Sequence, residues 1–137
     1  MAQVIIYQNP TDTNVCVCHP TDPANIDAVL ANDCPPGAVI VDDSVLPQGT
    51  DAEFFDAWVL NSDNTVSVNI ARAQSDRLTS YNAAAITAAQ ARQLNTLTGI
   101  TNAISDSDWL ANIVAGREAI ANATTTSALM AIGLPTT

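Results

Sequence analysis

The distribution of charge along this chain constrains its folding more than any motif does. Residues 1–70 contain ten carboxylates, from Asp12 to Asp63, and neither lysine nor arginine, so their formal charge is −10. Residues 71–137 carry Arg72, Arg77, Arg92 and Arg117 against Asp76, Asp106, Asp108 and Glu118, and are neutral. Proline divides the same way, with six of seven before residue 50. An acidic, turn-rich first half therefore gives way near residue 70 to an alanine-rich second half. Two regions are expected, 1–70 and 71–137.

Composition bounds the size of the core and the kind of partner. Of 137 residues, 23 are alanine, 15 threonine and 12 asparagine, whereas valine, isoleucine and leucine together number 31. That is enough for one modest core and not for two. A nucleic-acid partner is not expected, because the chain lacks the basic footprint that displaces phosphate counterions. An anionic membrane surface is disfavoured on the same ground, and no apolar run approaches the ~20 residues of a membrane span. The opening residues 1–7 carry neither a charged leader nor an apolar stretch of signal-peptide length, so no leader is expected.

The first region reads as strands with one short helix. Residues 4–8 are apolar and β-branched and are closed by Asn9-Pro10-Thr11-Asp12; residues 15–18 follow, predicting a hairpin. Asp22-Pro23 places a capping carboxylate before a proline suited to the first helical position, and Ile26, Val29 and Leu30 fall at helical spacing. Cys34-Pro35-Pro36-Gly37 stops that helix. Residues 38–41 read as a short buried strand, 42–50 as a loop, and 57–61 with 65–70 as a second hairpin around Ser62-Asp63-Asn64.

The second region reads as a helical hairpin. Residues 71–97 contain no glycine or proline and are rich in strong helix formers. Leu78, Tyr81, Ala85 and Ala88 form one stripe, from which Leu94 and Leu97 drift. An alanine face buries roughly a third of what a leucine face buries, so this stripe is too thin to hold a lone helix. Thr98-Gly99 ends the helix. Ser105 and its neighbouring acids cap the next one, with Trp109, Ile113, Val114, Arg117 and Ile120 as its inner positions. Thr124-Thr125-Thr126 interrupts it, and a last turn over 129–132 stops at Gly133. The expected fold class is α+β, a small strand-rich N-terminal head with one short helix followed by an alanine-rich helical hairpin.

The words "VIIYQNP", "IVDDSVLPQG" and "FFDAW", in that order before an alanine-rich helix, resemble a family of small tailed-bacteriophage proteins encoded among tail, baseplate and fibre genes. The resemblance covers roughly residues 3–75. It implies a virion structural protein of the tail, of fibre or baseplate-attached type, made in the host cytoplasm and assembled through protein–protein contacts. The thin stripe of Leu78, Tyr81, Ala85 and Ala88 points to a homo-oligomer through the helical half, for which the resemblance implies a trimer, with other tail or baseplate proteins as partners. The resemblance assigns no catalytic residue. A non-virion assembly chaperone for a tail fibre is the alternative reading, and an enzyme is a weaker third.

Chemistry-bearing residues are few. Cys16 and Cys18 lie two apart on a predicted strand and share a face, so either can reach Cys34 if the strand packs against the end of the helix. Three thiols cannot all pair within one chain; in an extracellular particle the odd one points to an intermolecular bond. At least one covalent link is expected among them, the competing expectation being three buried thiols. Metal ligation by Cys16, Cys18, His19 and Cys34 is not expected, since the spacing does not match structural zinc sites. Cys18 and His19 point to opposite faces of a strand and form no nucleophile–base pair. Asp42-Asp43 lacks the remainder of a calcium loop. The Asn122-Ala123-Thr124 acceptor carries no weight without secretion, and the isolated glycines build no phosphate loop. No cofactor is expected. Phe54, Phe55 and Trp58 gather half the aromatics: Trp58 is expected in the core, and one of the two phenylalanines, together with Tyr81, at an interface.

Overall fold

A computed structural model describes residues 2–137, and the fold is α+β. The chain divides into two compact units, one ending at Asn69 and the other spanning Ile70–Thr137.

In the N-terminal unit, strand β1 (Gln3–Gln8) lies between β2 (Val15–Cys18) and β3 (Val39–Asp42) and runs antiparallel to both. Its central place explains the unbroken Val4-Ile5-Ile6 run. Successive strand side chains point to opposite faces, and all three are 0% exposed because both faces are covered. One face presents Val4, Ile6 and Val15, flanked by Val17, Val39 and Val41. It packs on the hairpin of β4 (Trp58–Leu60) and β5 (Val66–Val68), which supplies Trp58, Leu60, Val66 and Val68. Helix α1 (Ile26–Asp33) contacts β1 and β3 and covers the other face, which carries Ile5, Tyr7, Cys16 and Cys18.

With no cation in this unit, its carboxylates serve as turn acceptors. Asp12 Oδ1 accepts the Asn14 N–H at 3.0 Å, beside Thr13 at φ +62°, in the β1–β2 turn. Asp22 accepts from Ala24 N–H at 3.0 Å and opens a 3-10 turn (Pro23–Asn25) that leads into α1. Asp42 accepts from Ser44 N–H at 2.9 Å. Asp63 accepts from the hydroxyl and the N–H of Thr65 at 2.5 and 3.2 Å, closing the β4–β5 turn around Asn64 at φ +65°. These bonds hold the Asp42 and Asp63 carboxyls below the usual carboxylate range. A depressed folded-state pKa contributes stability that is complete above the unfolded value, near ~3.9, and is lost as pH falls through the folded value. Asp63→Asn is therefore expected to flatten the pH dependence of unfolding below about pH 4, measured as urea midpoints at pH 5 and pH 2.

The segment expected to loop over 42–50 is more regular than its composition implies. It holds a 3-10 stretch at Asp43–Val45, and a second, Gly49–Ala57, starts at its end and is broken at Phe54 (φ −103°, ψ 47°). That break turns the two adjacent phenylalanines apart: Phe54 is 7% exposed and Phe55 43%.

The second unit is helical throughout, with α2 (Ile70–Leu97), α3 (Asp106–Asn122) and α4 (Thr126–Ala131). At 28 residues α2 is about 42 Å long. Gly99, at φ +77°, ends it in the left-handed conformation that glycine adopts without strain. Ser105 Oγ caps α3 by accepting the Asp108 N–H at 3.1 Å, and Thr125 caps α4 through the Ala128 N–H at 3.1 Å. The buried positions of α2 are Ala73, Tyr81, Ala85, Ala88 and Arg92, spaced by three, four or multiples as one helical face requires. Trp109, Ile113 and Ile120 face them from α3. Val114 is 53% exposed, and Arg117 also lies outward, so the inner face of α3 is narrower than its sequence predicted.

Candidate self-association face and thiol pair

Polar side chains of α2 donate to main-chain oxygens of the segments that follow it. Gln74 Nε2 donates to the Ala123 oxygen at 2.7 Å, and Arg77 donates to the Ile132 oxygen. Tyr81 Oη donates to the oxygens of Asn112 and Ile113 at 3.3 and 3.2 Å. Arg92, 4% exposed, is the most heavily engaged. It donates to the main-chain oxygens of Thr137 and Ile104, each at 2.9 Å, and to Asp106 Oδ1 at 2.7 Å. Its guanidinium lies over the Trp109 ring, 5.3 Å from the centroid, while Trp109 Nε1 donates to the Thr136 oxygen at 2.8 Å. Arg92 and Trp109 together hold the last residues of the chain against α2 and α3.

This arrangement corrects one expectation. Tyr81 is not an interface residue of the helical unit; it is 3% exposed and fills the interior. A Cβ on Gly116 would fall 1.9 Å from its hydroxyl, so the glycine admits the ring. Phe54 is likewise interior, which leaves Phe55 as the exposed member of its pair; its ring lies 4.7 Å from that of Trp58. Leu78 of the predicted stripe is half-buried. Arg92 was not among the residues singled out from sequence. It sits four positions after Ala88 on the same stripe, and that spacing is the signal that marks it as inward-facing.

The outer side of the α2–α3 pair is apolar. Of the ten large hydrophobics that are exposed among the described residues, nine lie in the helical unit and one, Phe55, in the N-terminal unit. Ile86, Gln93 and Leu97 fall at helical spacing along α2, and Leu110 and Val114 lie four apart along α3. Leu97 is 77% exposed, Ile86 61% and Leu110 56%. Ala89, Leu97, Trp109 and Leu110, together with the polar Arg92, Gln93, Thr96 and Asp106, line an open groove of about 490 Å³ between the two helices. Arg117 Nε, donating to Asn82 Oδ1 at 2.9 Å, marks one end of the row; Asp106, paired with Arg92, marks the other.

None of the three cysteines is in a disulfide, and each is half-buried. The β1–β2 register places Cys16 opposite Tyr7 and Cys18 opposite Ile5, on the face that α1 covers. Cys34 follows α1 directly. Burial first, then the neighbouring Cys16, raises the Tyr7 hydroxyl above its ordinary value; burial, then Cys18 and Asp33, raises the Cys34 thiol. Among the described residues no three histidine, cysteine or acidic side chains are gathered to hold a metal ion, and no helix is long and apolar enough to cross a membrane. No family model, curated protein or solved structure matches this chain.

Proposed function

We propose that this protein is a structural component of a phage tail, of fibre or baseplate-attached type, whose helical unit assembles with copies of itself. The observation that carries the reading is the apolar outer face of the α2–α3 pair. Leucine, isoleucine and valine stay this exposed in the unit while Ala73, Ala85 and Ala88 are buried, and large exposed hydrophobics of this kind support an interface. A second copy is the occupant whose charge fits best. The helical unit is neutral, so like-with-like contact meets no net repulsion there, whereas the −10 of residues 1–70 opposes self-contact through the N-terminal unit. The tail context comes from the resemblance of residues 3–75.

The full chain at tens of micromolar is expected to sediment as an oligomer, a trimer if fibre symmetry applies. Leu97→Glu with Leu110→Glu should convert it to a folded monomer, because two carboxylates would enter the apolar face. A parent chain that is monomeric in the same experiment overturns the self-assembly reading. Mass spectrometry of purified virions tests the location: presence at stoichiometric levels is expected, and absence favours a transient assembly factor.

A further inference from the structure

The segment after α4 is held by side chains of other elements. Residues 133–137 form neither helix nor strand, and what they offer α2 and α3 is main-chain oxygen. Trp109 Nε1 donates to the Thr136 oxygen at 2.8 Å and Arg92 Nη1 to the Thr137 oxygen at 2.9 Å, while Arg77 holds the Ile132 oxygen just before the segment. Both Arg92 and Trp109 are buried, and Arg92 is fixed further by Ile104 and Asp106, so its aim does not depend on the segment. The segment stays largely outside: Leu134 is 45% exposed, and Gly133, Thr136 and Thr137 are exposed as well. It borders two spaces, one of about 450 Å³ against Tyr81 and Ile113 and one of about 300 Å³ against Ala84, Ala88 and Ala91. Independently of the outer apolar face, we propose that residues 133–137 are a peptide ligand held in cis, and that the cleft beneath them is a site that also takes this extended segment from a second copy.

Buried donors aimed at backbone oxygens recognise an extended chain through its main chain, whichever copy supplies it. Pro135 fixes one backbone dihedral, which lowers the entropy lost when the segment is ordered. Packed interiors hold few voids larger than a water molecule, so a segment bordered by open space gives up little contact on leaving. Gly133 starts the segment with nothing within 4 Å of a Cβ position, and serves as the hinge. Release bares the Arg92 and Trp109 donors while α2 and α3 stay packed through Tyr81, Ala85, Ile113 and Ile120.

Nuclear magnetic resonance of the 15N-labelled chain tests this, with the Trp58 indole N–H, bonded to the Asp51 oxygen, as internal reference. In the full chain, hydrogen-exchange protection of the Trp109 indole should be at least about tenfold below that of the Ile113 and Ile120 amides, because the segment opens by itself. A variant ending at Ile132 should keep its far-ultraviolet circular dichroism, and its Trp109 indole signal should move. An amidated synthetic peptide of residues 133–137, at millimolar concentration, should return that signal to its full-chain position and leave Trp58 unmoved. The same peptide without Thr137 should bind at least about threefold more weakly, having lost the acceptor of Arg92. Protection of the Trp109 indole equal to that of the helix amides would overturn the proposal. So would loss of helix in the shortened variant, or a Trp109 signal that the peptide does not return. None of these readouts depends on the outer face, whose failure is read by sedimentation alone.

Discussion

Trp58→Ala is expected to abolish cooperative unfolding of the N-terminal unit. The indole is 6% exposed, packs with Val4, Ile6, Val15 and Val66, and donates from Nε1 to the Asp51 oxygen at 2.9 Å. Truncating a buried aromatic costs about 3–5 kcal/mol, comparable to the whole stability of a unit this small. The loss is concentrated because Trp58 joins two parts. It belongs to the β4–β5 hairpin, and a two-stranded hairpin has little stability of its own. Without the ring, the hairpin loses its grip on the sheet, and the aliphatic face of β1 meets water. Hydrogen exchange of the β1 amides reads this directly: protection at Val4 and Ile6 should fall to that of exposed loops. Retained protection, with a melting temperature within a few degrees of the parent, would show that the sheet closes without Trp58. Trp58→Phe, which keeps most of the buried area but loses the bond to Asp51, should fall between the two.

Arg92→Ala should destabilise the helical unit by about 3 kcal/mol, whereas Asp106→Ala should shift it by less than about 1 kcal/mol. The two residues form a salt bridge at 2.7 Å, but their side chains are 5% and 83% exposed. Water competes for the carboxylate, so the ion pair itself contributes little. Removing the guanidinium is different in kind, because it leaves the Thr137 and Ile104 oxygens without their donor and takes the cation from the face of Trp109. Urea unfolding followed by far-ultraviolet circular dichroism separates the two variants. Equal losses for both would mean that the pair, and not the carbonyl anchoring, is what Arg92 supplies. Arg92→Met preserves bulk against Trp109 without the donors and should recover less than half of the loss.

Much of the architecture was legible in local signals. The Val4–Ile6 run, the Asn9–Asp12 turn, the Asp22-Pro23 cap and the Ser62–Asn64 turn are short-range chemistry, and β1, β2, α1 and the second hairpin formed where they pointed. The long glycine-free, proline-free stretch became α2, and Gly99 and Ser105 mark its end and the start of α3. Local reading left open which of two adjacent residues turns inward. Phe54 and Phe55 have the same composition and neighbourhood, and only the backbone break at Phe54 sends one inward. Tyr81 read as an interface residue because an aromatic on a thin alanine stripe resembles an exposed anchor. Gly116, 35 positions later, is what makes room for it inside.

What the sequence determined by itself is the division of labour: an acidic unit without cations, whose carboxylates close turns, and a neutral unit whose helices follow from propensity and capping. Those properties depend on neighbours within a few residues, where hydrogen-bond geometry and side-chain entropy act without reference to the rest of the chain. The tertiary structure alone decided which aromatic is buried. It also decided that Arg92 lies inside the helical unit, holding the oxygens of Ile104 and Thr137. Each of these is a contact between residues 12 to 45 positions apart or more, and its energy comes from burial that exists only once the elements have packed. The oxygens of Ile104 and Thr137 need a donor, and no local pattern records that the donor stands on α2.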